Sequence, residues 1–437
     1  MKFFQFLMCI VVMSGPTFAI PQIPKGALIR DTEIESALES YLDSIKHTMG
    51  IRRKIRVYVL SDPNINAFAT EGNLIVINSG LLFATEHVGQ LISVLAHELG
   101  HLEGGHIMRQ KGTMNQSGKF MLMGGVLGAA ALLAGSPGLA MGSLMGAGEF
   151  AKQNILRHSR SHESSADEFM IKAFDQKNWS LKGGVEFMNV LKSQELFSSA
   201  AESSYARTHP LTQDRVRRLD YIANTQSQTD PFPKEFETSF RRIRAKLSAF
   251  LGHIHHVKKT YASKTTTDAL YAQAILSWRL NQKAQALKTI ETLITKYPKD
   301  PYIFELKGQL LYEYGDIHPA TQNLEKAYQV SRAPLIGAFL CQVYLEQGNY
   351  QKAKGILFTL NKKDIGTEIY IFQAAIYSHE KNPGRVHLAL AQKAFEENQL
   401  DLAEKHLKIA QPLLNKKETS AMIQAEDLKL ALTPQGR

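Results

Sequence analysis

Three alanines, Ala286, Ala320 and Ala353, stand 34 and 33 residues apart, and each is followed four positions on by Ile290, Leu324 or Leu357. Seven positions on come Leu293, Ala327 and Leu360, and twelve positions before each alanine lies another small residue, Ala274, Gly308 or Cys341. Small residues at fixed points let two antiparallel helices approach closely, while the larger ones fill the gap to the next pair. Such a unit cannot bury its apolar face alone, so several must stack into a solenoid. Ala403, with Leu407, Ala410 and the preceding Ala391, repeats the set 50 residues on, and the 16 additional residues hold one more helix over about 368–380.

Helix pairs of about 34 residues are the tetratricopeptide arrangement, expected here over 265–437, with Cys341 as a packing residue. At roughly 150 residues per domain, 437 residues leave room for at least one domain ahead of the repeats. Apolar residues make up 44% and charged residues 21%, which excludes collagen-like, wholly disordered and polytopic membrane chains. A net charge of +10 permits nucleic-acid, anionic-membrane or acidic-protein partners without choosing among them. The N-terminus narrows that choice. Lys2, the apolar run Phe3 to Met13 and the small-residue pattern ending at Ala19 have the layout of a secretory signal peptide over 1–19. The run is too short to span a bilayer. Its removal leaves Cys341 as the only cysteine, so no intramolecular disulfide can form, and export argues against nucleic-acid binding.

Apolar spacing predicts a helix over 33–47, strands over 54–60 and 74–77 with a further edge strand over 64–70 between them, and a helix opening at Thr85. From Phe120 to Gly148 there is no charged residue, but Gly135-Ser136-Pro137-Gly138 breaks the run into pieces too short to span. A helical hairpin is expected there. It packs as core, covers a site or makes peripheral contact with a membrane. Helices are expected over 157–174 and 181–196, then a linker and basic connecting helix over 224–264. Arg241, Arg242, Arg244, Lys246, Lys258, Lys259 and Lys264 read as a solvated face joining two domains, with an acidic partner surface as the other reading. His253, His255 and His256, without a carboxylate or thiol beside them, read as solvated too.

The chemistry stands in His97-Glu98-Leu99-Gly100-His101. On a helix, residues four apart share a face, so His97 and His101 can hold one zinc ion, with Glu98 close enough to take a proton from water activated by it. With 15 histidines in 437 residues, chance supplies about 0.03 such motifs, so the pattern is read as a site. A third ligand is needed. His106 lies five residues on, roughly 140° round a continued helix from the metal face. The pattern HExxHxxGxxH has Gly104 in place but meets Ile107 where it needs histidine. Glu163 and Asp167 are better placed: four apart on one predicted helix, one can bind the metal while the other accepts a hydrogen bond from a ligating imidazole. Ala166 between them would let two helices approach.

HExxH followed by Ser159-Arg160-Ser161-His162-Glu163-Ser164-Ser165-Ala166-Asp167 resembles metallopeptidase family 48, a gluzincin family, and in particular its periplasmic members that carry C-terminal tetratricopeptide repeats. Asn66-Ala67-Phe68-Ala69, Gly80-Leu81-Leu82, His106 and Arg109, and Thr208-His209-Pro210 fit the same pattern. The resemblance implies an α+β zincin-like metallopeptidase domain over 20–223 followed by the all-α solenoid. It implies zinc ligands His97, His101 and Glu163, Glu98 as general base, and Asp167 behind the ligands. It places at His209 a histidine able to approach the zinc, either capping the fourth coordination position and holding the enzyme latent or stabilising the oxyanion. It makes Asn66, Ala67, Phe68 and Ala69 an edge strand that pairs with extended substrate. The expected function is a zinc endopeptidase of the bacterial periplasm. Its clients would be misassembled outer-membrane β-barrel proteins and the machinery that inserts them. The alternative is a chaperone-like adaptor with latent proteolysis.

Overall fold

The computed structural model describes residues 26–70, 72–106, 160–197, 209, 211–225, 231–414 and 418–433. The expected signal peptide (1–19) and the uncharged hairpin (120–148) lie outside the described residues. By internal contacts the described chain divides into a unit ending at Pro298 and a second starting at Lys299.

The first unit opens with β1 (Leu28–Ile29) and α1 (Thr32–Thr48). Asp31 caps α1 by accepting from the Ile34 amide, with Glu33 and Glu35 in the first turn where the helix dipole favours acids. Then come β2 (Arg56–Leu60), β3 (Ala67–Thr70), β4 (Leu74–Asn78) and α2 (Ser79–Ala84). The sheet order is β1-β2-β4-β3, with β2 and β4 parallel and both outer pairs antiparallel. Every residue of β4 is buried, as its unbroken apolar run requires. The edge strand expected over 64–70 is β3. Asn78 N–H donates to Asn66 O, so with the register Phe68↔Val76 it is Phe68 and Thr70 that turn their backbone groups to β4. Ala67 and Ala69 turn theirs to the open edge.

The helix expected to open at Thr85 starts instead at Val88, since Thr85 closes α2; it is α3 (Val88–Glu103), buried at every position from Val88 to His101. A helix without a polar face is a core helix, and α3 packs against α1, α4 (Arg160–Gln176), α5 (Lys182–Phe197) and β3. Contact with α4 is close: a Cβ on Gly100 would lie 2.9 Å from Ala166 Cα, so the expected role of Ala166 is met by a glycine facing it. α6 (Gln213–Thr225) packs on α5.

Next come α7 (Lys234–Leu251) and α8 (Ile254–Tyr261), then the helix pair α9 (Thr267–Arg279) and α10 (Lys283–Lys296). The solvated face expected for the connecting helix holds for Arg241, Lys258, Lys259 and Lys264, which are exposed, and is corrected for the other three basic residues. Arg242 and Lys246 of α7 point inward. Lys246 Nζ lies 2.7 Å from Asp31 Oδ2 and 3.4 Å from Glu33 Oε2, with its side chain 1% exposed. Arg242 reaches Glu33 Oε1 at 2.7 Å, Tyr271 of α9 donates to Glu33 Oε2 at 2.9 Å, and Arg244 donates to the Phe83 carbonyl at 3.2 Å. Two carboxylates buried at the entrance of α1 need cations, and α7 supplies them. Arg241 stays outside, paired with Glu237 one turn away.

The second unit contains α11 (Pro301–Glu313), α12 (Ile317–Ser331), α13 (Pro334–Glu346), α14 (Tyr350–Leu357), the short α15 (Lys362–Ile365), α16 (Glu368–His379), α17 (Pro383–Glu396), α18 (Leu400–Leu413) and α19 (Thr419–Leu432). Antiparallel pairing follows the small residues: Gly308, Ala320, Cys341, Ala353, Ala391 and Ala403 are all buried. A Cβ on Gly308 would meet Leu324 at 2.8 Å, and Cys341 Sγ sits 3.5 Å from the Ala353 carbonyl. The additional helix expected near 368–380 is α16. Among the described residues no helix is long and apolar enough to cross a membrane.

Removing Lys246 leaves the Asp31 carboxylate without its cation in the interior, while Glu33 keeps Arg242 and Tyr271. Lys246→Ala is expected to lower the unfolding free energy by about 3–5 kcal/mol, measured by urea denaturation; a change under about 1 kcal/mol would mean the pair is solvated after all.

Candidate metal centre

His97 and His101 lie on the same face of α3, one turn apart, and their Nε2 atoms converge to 3.1 Å. Glu163, in the first turn of α4, brings Oε2 to 3.3 Å from His97 Nε2 and Oε1 to 3.4 Å from His101 Nε2. His209 enters ahead of α6, its Nδ1 3.4 Å from His97 Nε2 and 3.3 Å from Glu163 Oε1. One donor atom from each of the four lies within 4.8 Å of all the others, and all four side chains are buried. A tetrahedron with ligand bonds of about 2.0–2.1 Å has edges of roughly 3.3–3.4 Å, which the separations approach. Three imidazole nitrogens and a carboxylate also form the donor set that a borderline divalent metal takes. The arrangement therefore fits a metal ion.

Outside this group, each helical imidazole is held by its other nitrogen. His97 Nδ1 lies 2.9 Å from Asp167 Oδ1, and His101 Nδ1 lies 3.0 Å from His106 Nδ1. Asp167 is gripped in turn by Arg215, whose Nε and Nη2 donate to its two oxygens at 2.7 and 2.9 Å. The same guanidinium sends Nη1 to Glu163 Oε2 at 2.9 Å. One cation thus neutralises two buried carboxylates on successive turns of α4.

Glu98 is fully buried beside the cluster. Its Oε2 accepts the Ala69 N–H at 3.0 Å from the open edge of β3, and its Oε1 lies 3.3 Å from His209 Nε2. The His209 ring therefore spans from the donor group to Glu98.

The charges of these groups follow from burial and contact. Burial pushes the Glu98 carboxyl up, against the pull of His209 and His97. In the metal-free protein burial opposes a charge on His97, but hydrogen bonds and charge from Asp167 and Glu163 outweigh it and raise the imidazole to about 10. Burial, together with the neighbouring imidazoles, holds His101 well below its ordinary value. Burial also works against the Glu163 and Asp167 carboxylates and loses in both. Contacts from three histidines hold Glu163 far below the usual range, and those from His97 and Arg215 hold Asp167 at about 2.

The structure brings together His97, Glu98, His101, Glu163, Asp167 and His209, and sets Ala69 of the Asn66, Ala67, Phe68, Ala69 segment against Glu98. Arg109, Thr208 and Pro210, also matched from sequence, lie outside the described residues. Sequence reasoning missed Arg215 and gave His106 no place at the metal. Two acids four apart on a helix entering a core demand a cation, and that demand was the available signal for Arg215. For His106 the signal was Gly104-Gly105, which ends the helix before the rotation computed for a continued one applies.

Residues 29–223 match the sequence pattern of Peptidase family M48. That stretch is an M48-like peptidase domain. The M48 domain contains the whole donor group, and the chain is a metalloprotease. The Escherichia coli (strain K12) "Beta-barrel assembly-enhancing protease" is 24% identical over 345 residues, covering 75% of this chain and 69% of that protein. The protein of the same name from Yersinia pestis is 23% identical over 311 residues, covering 69% of this chain and 63% of its own. Among solved structures, the Cut9-Hcn1 hetero-tetramer of the APC/C shares 12% identity with a TM-score of 0.30 over 80% of this chain and 90% of that one, too slight a likeness to build on.

The Asp167 carboxyl, depressed from an ordinary 3.8 to about 2, contributes stability that is present above about pH 4 and lost as pH falls through about 2. By linkage this amounts to roughly 2 kcal/mol. Urea unfolding of the metal-free protein is expected to show Asp167→Asn less stable than the parent by at least that amount at pH 6, with the gap narrowing toward pH 2. A gap that does not change with pH would contradict the assignment.

Proposed function

We propose that the M48 domain is a zinc-dependent endopeptidase of the bacterial periplasm, with zinc held by His97, His101 and Glu163. The observation that carries this reading is the convergence of those three side chains beside a buried Glu98 that faces the open edge of β3. Bound zinc supplies Lewis-acid activation of water and of the scissile carbonyl. Glu98 takes the proton from the attacking water and passes it to the leaving amine, and its raised pKa suits a base that must also act as an acid. Asp167 and Arg215 keep His97 and Glu163 oriented. The backbone groups of Ala67 and Ala69 at the open edge pair with an extended substrate in antiparallel register, which sets the scissile bond beside Glu98.

His209 supports a latent resting form. Its Nδ1 takes the fourth donor position and its Nε2 engages Glu98, so both the place for water and the general base are taken. Substrate pairing along β3 competes for the Ala69 N–H that Glu98 now holds. Activation therefore requires His209 to withdraw and Glu98 to turn toward the attacking water. The signal layout of 1–19 supports export, and relatives named for β-barrel assembly enhancement support misassembled outer-membrane β-barrel proteins as clients, recruited with their assembly machinery by the helical repeats. A latent form also accommodates the second reading, an adaptor that assists assembly and cleaves rarely.

With zinc added and an unfolded β-barrel protein as substrate, Glu98→Gln is expected to cut cleavage by at least about 100-fold, and His209→Ala to raise it. Gel analysis of fragments decides both. Equal fragmentation by parent and Glu98→Gln would remove Glu98 from the chemistry, and an unchanged rate in His209→Ala would remove latency through that residue.

A further inference from the structure

α3 ends at Glu103, and Gly104 follows with a helical φ of −69°. Gly105 then takes φ +62°, a region that favours glycine. The reversal folds His106 back onto the end of the helix, where it is 2% exposed and its Nδ1 faces His101 Nδ1 at 3.0 Å. A face of the His106 ring stacks on His162, with centroids 4.3 Å apart and planes 14° from parallel. His162 immediately precedes Glu163 in α4. A Cβ on Gly104 would stand 2.3 Å from His106 Nε2, so the ring lies in space that only glycine leaves open.

We propose that His106 is a positioning residue of the metal centre: its Nδ1 accepts the Nδ1–H of His101, and its stack on His162 ties the end of α3 to the segment bearing Glu163. An imidazole that gives Nε2 to a metal carries its proton on Nδ1. Of two Nδ1 atoms facing each other, His106 must then be the acceptor, with its own proton on Nε2. His106 does for His101 what Asp167 does for His97, but without a charge. The two ligating imidazoles are therefore held unequally, one by a carboxylate and one by a neutral ring. The inference rests on the reading of His101 as a zinc ligand.

Zinc dissociation constants of the full chain, measured by competition with a chromophoric chelator at one neutral pH, test it. His106→Asn keeps an acceptor near the position of Nδ1 but loses the stacked ring, whereas His106→Phe keeps the ring and loses the acceptor. Gly104→Ala displaces the His106 ring at a position whose φ any residue adopts. His106→Phe and Gly104→Ala are expected to weaken zinc binding by about 10- to 100-fold, and His106→Asn by less than about threefold. Zinc binding by His106→Phe equal to that of the parent would overturn the proposal, and so would His106→Asn binding as weakly as His106→Phe. If His106→Phe does not fold, as judged by circular dichroism, His106→Asn and Gly104→Ala carry the same comparison. His101→Ala separates the two readings: if it binds zinc like the parent, the ligand assignment itself fails, and if it does not, the result for His106 stands alone.

Discussion

Burying α3 on every side takes His97, Glu98 and His101 out of water together, and unpaired polar groups in that position cost several kcal/mol each. The surrounding M48 domain answers that demand. Gly100 and the facing Ala166 let α4 approach closely enough for Glu163 and Asp167 to reach the imidazoles. Arg215 then balances the two carboxylates that the approach brings in. Ala69, from the sheet, gives Glu98 a backbone donor. Each element supplies a partner for a group that α3 has desolvated, so the site and the core are one construction.

A similar demand recurs at the other end of the first unit. Asp31 and Glu33 begin α1 as a cap and a first-turn acid, choices made by local helix physics, yet both are buried. Lys246 and Arg242 of α7 and the Tyr271 hydroxyl of α9 meet them there. The first helix pair is thereby joined to the sheet domain by buried charge as well as by apolar packing. One face of a connecting helix that reads as solvated in sequence thus becomes part of the interior, while Arg241, Lys258, Lys259 and Lys264 stay exposed.

How much was legible in sequence depended on whether the signal was local. Repeats with small residues at fixed spacing showed the helix pairs, because helix approach depends on side-chain size at a few positions: Gly308, Cys341 and Ala353 lie where the spacing put them. His97, Glu98 and His101 were readable because one helical turn fixes their relation. Glu163 and Asp167 were readable as a pair on one face, and their connection to the histidines was then implied by family resemblance. Arg215 and the inward turn of Lys246 were not, since each depends on an acid far away in sequence. His106 stays outside the donor group, but its place behind His101 was not readable, because the chain reverses at Gly104-Gly105.

His209 stands within the donor group and is proposed as a fourth ligand to an ion held by His97, His101 and Glu163. X-ray absorption of the zinc-loaded protein tests it without reference to any substrate. Four nitrogen or oxygen neighbours are expected at about 2.0–2.1 Å, with scattering from three imidazoles in the parent and two in His209→Ala, the ion being retained in both. Two imidazoles in the parent, unchanged by the substitution, would contradict it.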